Sequence, residues 1–172
     1  MKTILIVIFL SITALGDINS IALIKQAKFF GRFERFVKWP KSQNNRKLFI
    51  IGIIGNSPFK KKLKSIYANK TFTNKPIEIR HLKHLDEIKN CHILYIAPLK
   101  NFTLDEVLDS AKEKGVFLIS YHKGWGEKGV HLNYYIDQAK NLKFELNPYT
   151  SKRDKIIINL KLLRLSKIVG TQ

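Results

Sequence analysis

A glycine-containing turn beside a run of lysines is the first segment of this sequence that could bind a ligand. The motif Gly52-x-x-Gly55-Asn56-Ser57 follows an apolar run, and lysines occupy positions 60 to 62. Where a strand leads into a helix, free helix N–H groups and a closely approaching backbone can hold an anion. The candidate binding residues are Gly55, Asn56, Ser57 and Lys60. The dinucleotide fingerprint is incomplete because no third glycine follows in register, so we favour the alternative of a tight turn that needs glycine for its shape.

Cys91 is the single cysteine of the chain, and His92 follows it directly. Cysteine and histidine can act as a nucleophile and its base, but these two lie at the start of an apolar run that predicts a strand. Neighbouring side chains of a strand point to opposite faces, so the two cannot act on one another. We therefore predict that Cys91 is a buried structural thiol, and one cysteine cannot form an internal disulfide.

The other histidines do not complete a catalytic or metal-binding set. His81 and His84 are close in sequence, but no nearby Cys, Asp or Glu completes the spacing of metal ligands. His122 and His131 are isolated. The sequence also lacks a nucleophile elbow, a P-loop and a zinc-binding helix. It therefore predicts no catalytic residue, no metal, no cofactor, and a protein that is not an enzyme.

Trp125 lies in a glycine-rich stretch that runs from Gly124 to Gly129. A tryptophan in a loop at the carboxyl end of a sheet strand can anchor a ligand or a partner. Trp125 and Glu127 are therefore candidate binding residues. The indole can equally fold back onto the core, and the sequence does not decide between these two arrangements.

Alternating strands and helices must position these residues. Residues 48–54, 92–97 and 116–120 are apolar runs that predict strands buried on both faces, and residues 77–80 alternate like a strand. Helical patterns cover residues 58–67, with Ser57 as a possible cap, and residues 85–89, 103–114 and 160–169. The strands predicted at 130–136 and 142–146 are joined by a connection short enough for an antiparallel pair. The order predicts an α/β three-layer sandwich with a mostly parallel sheet, a C-terminal antiparallel hairpin and helices on both faces.

The segment from residue 23 to residue 39 has helical spacing. Its apolar stripe consists of Ala27, Phe30, Phe33, Phe36 and Val37. Pro40 ends the helix, because the residue before a proline is pushed out of the α region. Trp39 stands at this end, where a large indole is expected to fasten the helix to the sheet.

The first 22 residues predict a signal peptide. Lys2 precedes an apolar run over residues 4–15, and Ser20-Ile21-Ala22 offers small residues for cleavage near Ala22. The apolar run is shorter than the roughly 20 residues that a spanning helix needs. The expected organisation is a signal peptide over residues 1–22 and one domain over residues 23–172, located in the periplasm.

The chain is strongly basic, with 31 Lys and Arg against 13 Asp and Glu and a formal net charge of +18. Such an excess can serve a polyanionic partner, such as nucleic acid or an anionic membrane surface, or it can reflect lysines spread over every solvated face. We favour the second interpretation because the lysines are scattered and the aromatic residues lie within apolar runs rather than alternating with basic residues. We therefore expect no specific nucleic-acid partner, and only weak, salt-sensitive binding.

Several short motifs occur in a fixed order between Ala27 and Val169. They are Phe36-Val37-x-Trp39-Pro40, Gly52-x-x-Gly55-x-x-Pro58-Phe59, Cys91-His92-Ile93-Leu94-Tyr95-Ile96, Phe144-x-Leu146-Asn147 and Ile158-x-x-x-Leu162-Leu163-x-Leu165. Behind an export signal, this ordered set resembles the YfiR/HmsC-like family of small periplasmic regulators. The resemblance implies that seven of these residues belong to the structural motif of the family: Trp39, Pro40, Gly52, Pro58, Phe59, Cys91 and His92.

The resemblance implies an α/β sandwich without known catalysis. The best-known member of the family binds the periplasmic sensor region of an inner-membrane diguanylate cyclase and inhibits that enzyme. Relatives are paired with histidine kinases. Members that respond to redox conditions have several cysteines, whereas this chain has only Cys91, which argues against a disulfide switch. We expect a regulator of an inner-membrane sensor protein. A solute-binding module for a small anionic ligand is the alternative, and homodimer formation stays open.

Overall fold

The structure, a computed structural model, describes residues 23–139 and 141–171. The predicted signal peptide over residues 1–22 lies outside this part of the chain, so the expected cleavage near Ala22 stays a prediction. Within the described ranges, the helices are all too short or too polar to cross a membrane.

The described residues form short helices and strands in an alternating order. The strands are β1 (Val37–Lys38), β2 (Phe49–Ile54), β3 (Thr71–Phe72), β4 (Lys75–His81), β5 (Ile93–Ile96), β6 (Phe117–Ser120), β7 (Leu132–Ile136), β8 (Leu142–Leu146), β9 (Ile157–Ile158) and β10 (Ser166–Ile168). The helices are α1 (residues 23–30), α2 (Phe33–Phe36), α3 (Lys41–Asn44), α4 (Phe59–Tyr67), the 3₁₀ helix η1 (Leu85–Asn90), α5 (Leu104–Ala111), α6 (Pro148–Arg153) and α7 (Leu160–Arg164).

Eight of these strands form one sheet in the order β10-β8-β7-β6-β5-β2-β4-β3. Strands β4, β2, β5, β6 and β7 are parallel neighbours, and β10 is parallel to β8. Strands β7 and β8 form an antiparallel hairpin, and β3 is antiparallel to β4. The predicted fold class, with its mostly parallel sheet and C-terminal hairpin, is confirmed.

The central strands β2, β5 and β6 are buried at every position, so the sheet is covered on both faces. In β2, Phe49, Ile51 and Ile53 belong to one core, whereas Ile50 and Ile54 belong to the other. Helices α1, α2, α4 and α7 cover the first face, and η1 and α5 cover the second. The result is the predicted three-layer arrangement.

The first predicted helix is wrong at its C-terminal end. Residues 23–30 and Phe33–Phe36 are helical, but a turn separates them at residues 31 and 32, and Val37–Lys38 is a strand that pairs with Ile157–Ile158. The β-branched Val37 finds a strand partner far along the chain, which a local helical pattern cannot reveal. The predicted apolar stripe is nevertheless correct, since Ala27, Phe30 and Phe33 are buried.

Two other segments differ from the prediction. Residues 160–169 do not form one helix: α7 ends at Arg164, and Ser166–Ile168 joins the edge of the sheet beside β8. The polar composition of residues 41–46 predicts a loop, but this stretch contains the single turn α3. Both differences reflect tertiary contacts that override a weak local preference.

Candidate functional site

A cavity of about 390 Å³ opens where the strand order of the sheet reverses. Strands β2 and β5 are neighbours in the sheet. The chain continues from β2 to β4 on one side of this pair and from β5 to β6 on the other side, so the loops that leave β2 and β5 diverge. In open α/β sheets, a crevice at this position, outside the carboxyl ends of the strands, is the usual ligand site. The cavity is lined by Gly55, Asn56, His81, Leu82, Lys83, Leu99, Lys100, Asn101 and Phe102.

Gly55 forms the floor of this cavity. Its φ is +91°, and a Cβ atom at this position would lie 2.6 Å from the carbonyl oxygen of Pro98. The Asn56 amide donates a hydrogen bond of 3.0 Å to that same oxygen. The loops after β2 and β5 are thus held in backbone contact, which only glycine permits. The turn interpretation of the motif is therefore supported, and the turn borders a cavity.

The end of β4 closes the cavity on one side. Nε2 of His81 lies 2.9 Å from the carbonyl oxygen of Gly55, and the Leu82 amide donates to the carbonyl oxygen of Ile53 at 2.8 Å. These contacts hold the end of β4 against β2 and place Lys83 at the rim. The neighbouring Glu87 carboxylate is turned toward the backbone, where it accepts hydrogen bonds from the amides of Lys83 and His84.

The candidate residues of the turn do not all reach the cavity. Gly55 and Asn56 line it, but Ser57 and Lys60 do not. Ser57 lies one residue before the N-cap position of α4, which Pro58 occupies, and its hydroxyl accepts a hydrogen bond of 3.1 Å from the Phe59 amide. Helix α4 then runs over the face of the sheet where Phe59 is buried, and this carries Lys60 away from the opening.

Sequence reasoning did not identify the basic residues that do line the cavity, Lys83 and Lys100. They follow β4 and β5, two strands that flank β2 in the sheet. One feature of the sequence could have identified them: both lysines come shortly after predicted strands. The carboxyl ends of parallel strands lie at the same edge of a sheet, where ligands bind.

Trp125 and Glu127 lie apart from this cavity, in the loop that follows β6. The Trp125 indole stacks on the ring of His122 with centroids 4.1 Å apart, and it packs against the second core. Of the two arrangements that the sequence left open, the loop adopts the one in which the indole folds back. The ring keeps a half-exposed edge, and Glu127 is exposed beside it.

Gly52 and Cys91 meet inside the second core. Cys91 is fully buried, and a Cβ atom on Gly52 would lie 2.5 Å from its Sγ atom. Burial raises the pKa of the Cys91 thiol to about 12, so the reactive thiolate is suppressed at neutral pH. The predicted buried structural thiol is confirmed, and glycine is required at position 52 because the sulfur occupies the space of a side chain.

We predict that the Cys91 thiol is inert in the folded protein and that Cys91→Ala costs only about 1 kcal/mol of unfolding free energy, because the cavity left is small. Labelling with a thiol reagent, native and in urea, checks the first part, and urea denaturation checks the second. Rapid labelling of the native protein would contradict the assignment.

His92 and His131 are buried in closely similar surroundings. Nδ1 of His92 accepts a hydrogen bond from the Ile50 amide at 3.1 Å, and Nδ1 of His131 accepts one from the Leu118 amide at 3.1 Å. Each ring therefore carries its proton on Nε2, which faces the carbonyl oxygen of Gln43 in the first case and the Asp154 carboxylate in the second. The sequence interpretation of His131 as isolated is wrong, because its partner Asp154, the residue directly after α6, lies far along the chain.

Burial lowers the pKa of His92 to about 4, so the ring is neutral in the folded protein at neutral pH. The unfolded chain takes up this proton near pH 6.5. As the pH falls from about 6.5 to about 4, only the unfolded state gains a proton, and we expect the unfolding free energy to fall by about 2 to 3 kcal/mol.

Urea denaturation at a series of pH values checks this expectation. His92→Gln should show a shallower loss of unfolding free energy between pH 7 and pH 4 than the unmodified protein. Equal slopes for His92→Gln and the unmodified protein would show that His92 does not carry the effect.

Within the described ranges, no group of three or more His, Cys, Asp or Glu side chains is arranged to hold a metal ion. The cavity instead combines cationic, amide and apolar groups, which suits recognition of a ligand and offers no nucleophile with an adjacent base.

Comparison with known proteins identifies the family of this chain. A search of curated proteins found no match. Among solved structures, a chain from Streptococcus pneumonia described as an ABC domain in complex with L-Trp is similar, with a TM-score of 0.50, 14% sequence identity, and coverage of 71% of this chain and 56% of that one. The present chain thus spans little more than half of that structure, and the likeness shows the fold.

A family model described as YfiR/HmsC-like matches residues 25–167, which is most of the chain. This family is known for periplasmic regulators and is regulatory rather than catalytic. The ordered motifs, the three-layer fold and this match agree, and the chain therefore belongs to the YfiR/HmsC-like family.

Proposed function

We propose that this protein is a periplasmic regulator that binds the sensor region of an inner-membrane signalling protein, a diguanylate cyclase or a histidine kinase, and modulates its activity. Membership of the family supports a regulatory role. The observation that carries the proposal is an exposed apolar surface near the C-terminus of the described chain.

This C-terminal surface consists of Ile157, Leu160, Leu165 and Ile168. Their side chains are 65%, 68%, 61% and 48% exposed, and all four lie within a short stretch of β9, α7 and β10. Single exposed apolar residues are common, but a concentration of large aliphatic side chains in one region is typical of a protein-binding surface. An adjoining groove of about 400 Å³ is lined by Ile156, Ile157, Ile158 and Leu163, together with Lys152 and Lys155.

Basic residues are interspersed in the sequence with these apolar residues. Lys161 and Arg164 are exposed on α7 between Leu160 and Leu165, and Lys167 lies on β10. Protein interfaces commonly combine an apolar centre with a charged rim, and complementary charge selects the partner. The matching surface on the sensor would be apolar at its centre with acidic residues around it. Nucleic acid would use the basic residues and leave the four aliphatic side chains without a partner.

The proposal is tested in cells from which the gene is deleted. The unmodified gene should restore the output of the sensor, measured as cyclic-di-GMP or as kinase phosphorylation. The double variant Leu160→Asp/Leu165→Asp should not restore it, because two carboxylates would stand at the centre of the interface. Tyr121→Asp is the control, since Tyr121 is an exposed large apolar residue directly after β6, which lies three strands away from β10 in the sheet.

Tagged protein should also retain the same membrane sensor from detergent-solubilised inner membrane, and the double variant should lose it. Restoration by the double variant, with thermal stability unchanged, would contradict the C-terminal surface as the binding site. A protein that keeps Met1 and fractionates with the cytosol would contradict the periplasmic assignment; N-terminal sequencing should instead give a start near Leu23.

A free-standing solute-binding module is the second candidate, and the cavity at the reversal of strand order favours it. The similar solved chain is described in complex with L-Trp, but at 14% identity the likeness carries the fold and not the ligand. An adjacent gene for a membrane sensor would favour the regulator, and an adjacent transporter gene would favour the solute-binding module.

A further inference from the structure

We infer that the cavity bounded by the ends of β2, β4 and β5 binds a small organic anion, one with a carboxylate or phosphate group and an apolar body. The inference concerns a ligand of the purified protein. It therefore stands apart from the membrane partner, whose proposed surface is made by β9, α7 and β10.

The charged residues that line the cavity are all basic. Lys83 and Lys100 both line the cavity, His81 stands beside them, and none of the nine lining residues is acidic. Among the described residues, neither lysine ammonium forms an ion pair. The nearby Glu87 carboxylate is occupied by the backbone amides of Lys83 and His84. Two unpaired cations at the rim of a concave site favour an anionic ligand.

The amide side chains Asn56 and Asn101 add hydrogen-bonding groups to the same opening. Each carries two N–H donors, and both residues are exposed at the rim. A carboxylate or a phosphate presents several acceptor oxygens, so amide donors and lysine ammonium groups can bind it together. A single inorganic ion would leave much of a cavity of about 390 Å³ unfilled.

The rest of the lining is apolar. Leu82 is buried, and Leu99 and Phe102 are half-buried and packed against the second core. Ligand sites typically combine such apolar walls with a few polar groups that orient the ligand. A ligand with an aromatic or aliphatic body can cover these walls while its anionic group meets the lysines. The floor is held open by Gly55, where a side chain would collide with the carbonyl oxygens of Ala97 and Pro98.

The test is calorimetric titration of the protein, residues 23–172, with three probes of similar size: phenyl phosphate, benzoate and the uncharged benzamide. Phenyl phosphate and benzoate represent the two sources of the anionic group, and either one alone or both should bind. Benzamide should bind at least about tenfold more weakly, because it lacks the charge. Inorganic phosphate should also bind more weakly than phenyl phosphate, because it lacks the apolar body.

The double variant Lys83→Gln/Lys100→Gln should weaken binding by about tenfold or more, as expected when two charge-assisted contacts are lost. The matched control is Lys47→Gln/Lys112→Gln, which removes the same charge from exposed positions near the opposite, amino end of the parallel strands. Asn101→Trp should block the opening, and Leu160→Asp/Leu165→Asp should bind the probes like the unmodified protein.

Thermal melts establish that each variant is folded. Absence of binding by both anions, equal binding of benzamide, or equal losses in the two lysine double variants would each overturn the inference.

Discussion

Trp39→Ala should lower the free energy of unfolding by about 3–5 kcal/mol, the usual range for removal of a buried large aromatic side chain. Trp39 is 9% exposed, and its ring makes edge contacts with Phe49 and Phe72 at centroid distances of 5.1 and 5.8 Å. Its indole N–H donates a hydrogen bond of 2.8 Å to the carbonyl oxygen of His92. One side chain thus joins the N-terminal segment to β2, to β3 and to the start of β5.

The size of this loss is large beside the roughly 5–15 kcal/mol that stabilises a typical domain. Urea denaturation of purified protein measures it. Trp39→Phe separates the two contributions, because phenylalanine keeps most of the ring packing but loses the hydrogen bond, and it should cost about 1–3 kcal/mol.

Trp125→Ala is the matched comparison for Trp39→Ala. The Trp125 ring is half-exposed and stacks on His122, so its removal should cost less than half as much as the removal of Trp39. A larger loss for Trp125→Ala than for Trp39→Ala would reverse the roles assigned to the two residues. This expectation rests on the arrangement in which the Trp125 ring packs against the second core, one of the two that the sequence leaves open.

Asp154→Ala should destabilise the protein by a similar amount, about 2–6 kcal/mol, because it leaves the Nε2–H of the buried His131 and the Glu113 amide without the carboxylate that they face, at about 1–3 kcal/mol for each unsatisfied donor. The Asp154 carboxylate accepts hydrogen bonds from the Glu113 amide at 2.9 Å and from Nε and Nη2 of Arg153 at 2.9 and 3.0 Å. Nε2 of His131 lies 3.2 Å from its Oδ2, and both of these side chains are fully buried.

The electrostatics of this group make the pH dependence predictable. Burial acts to raise the pKa of Asp154, but the adjacent His131 ring and the hydrogen bonds from Arg153 and the Glu113 amide outweigh it and hold the pKa well below its ordinary value. A carboxyl whose pKa is lowered by folding stabilises the protein above the unfolded pKa of about 3.9, and this contribution is lost as the pH falls below that value.

A double-mutant cycle with His131→Ala and Asp154→Ala tests whether the two residues act together. We expect the double variant to be less destabilised than the sum of the single variants, with a coupling energy within the range of about 0.5–3 kcal/mol for contacting residues. Glu127→Ala is the control, because this exposed loop carboxylate should change stability by no more than about 0.5 kcal/mol. Additive losses would show that the contact between His131 and Asp154 contributes nothing.

Local patterns in the sequence were sufficient for the central strands and for several helix ends. The continuous apolar run that became β2 is buried at every position, as both faces of a covered parallel sheet require. Thr103 was expected to begin a helix, and its hydroxyl accepts a hydrogen bond from the Glu106 amide while the Glu106 carboxylate accepts one from the Thr103 amide. These features depend on residues close in sequence.

The cavity could be predicted only in part. Gly55 and Asn56 belong to a turn that the sequence displays, but Lys83 and Lys100 reach the same opening because β4 and β5 lie on either side of β2. Strand order is a property of the whole sheet. A lysine that follows a predicted strand does not reveal which other strand ends lie beside it. The sequence therefore pointed to the lysines at positions 60 to 62 and not to the two lysines that line the cavity.

The sequence by itself determined the α/β class, the buried strands, the structural thiol of Cys91 and the family, because apolar periodicity, caps and ordered motifs are local signals. Only the tertiary structure decided that Val37 and Ser166–Ile168 are strands, that His131 meets Asp154, and that the aliphatic residues of the C-terminal surface stay exposed. Each of these depends on partners distant along the chain. The energy of such long-range pairing and burial exceeds local propensity, which amounts to less than about 1 kcal/mol per ordinary residue.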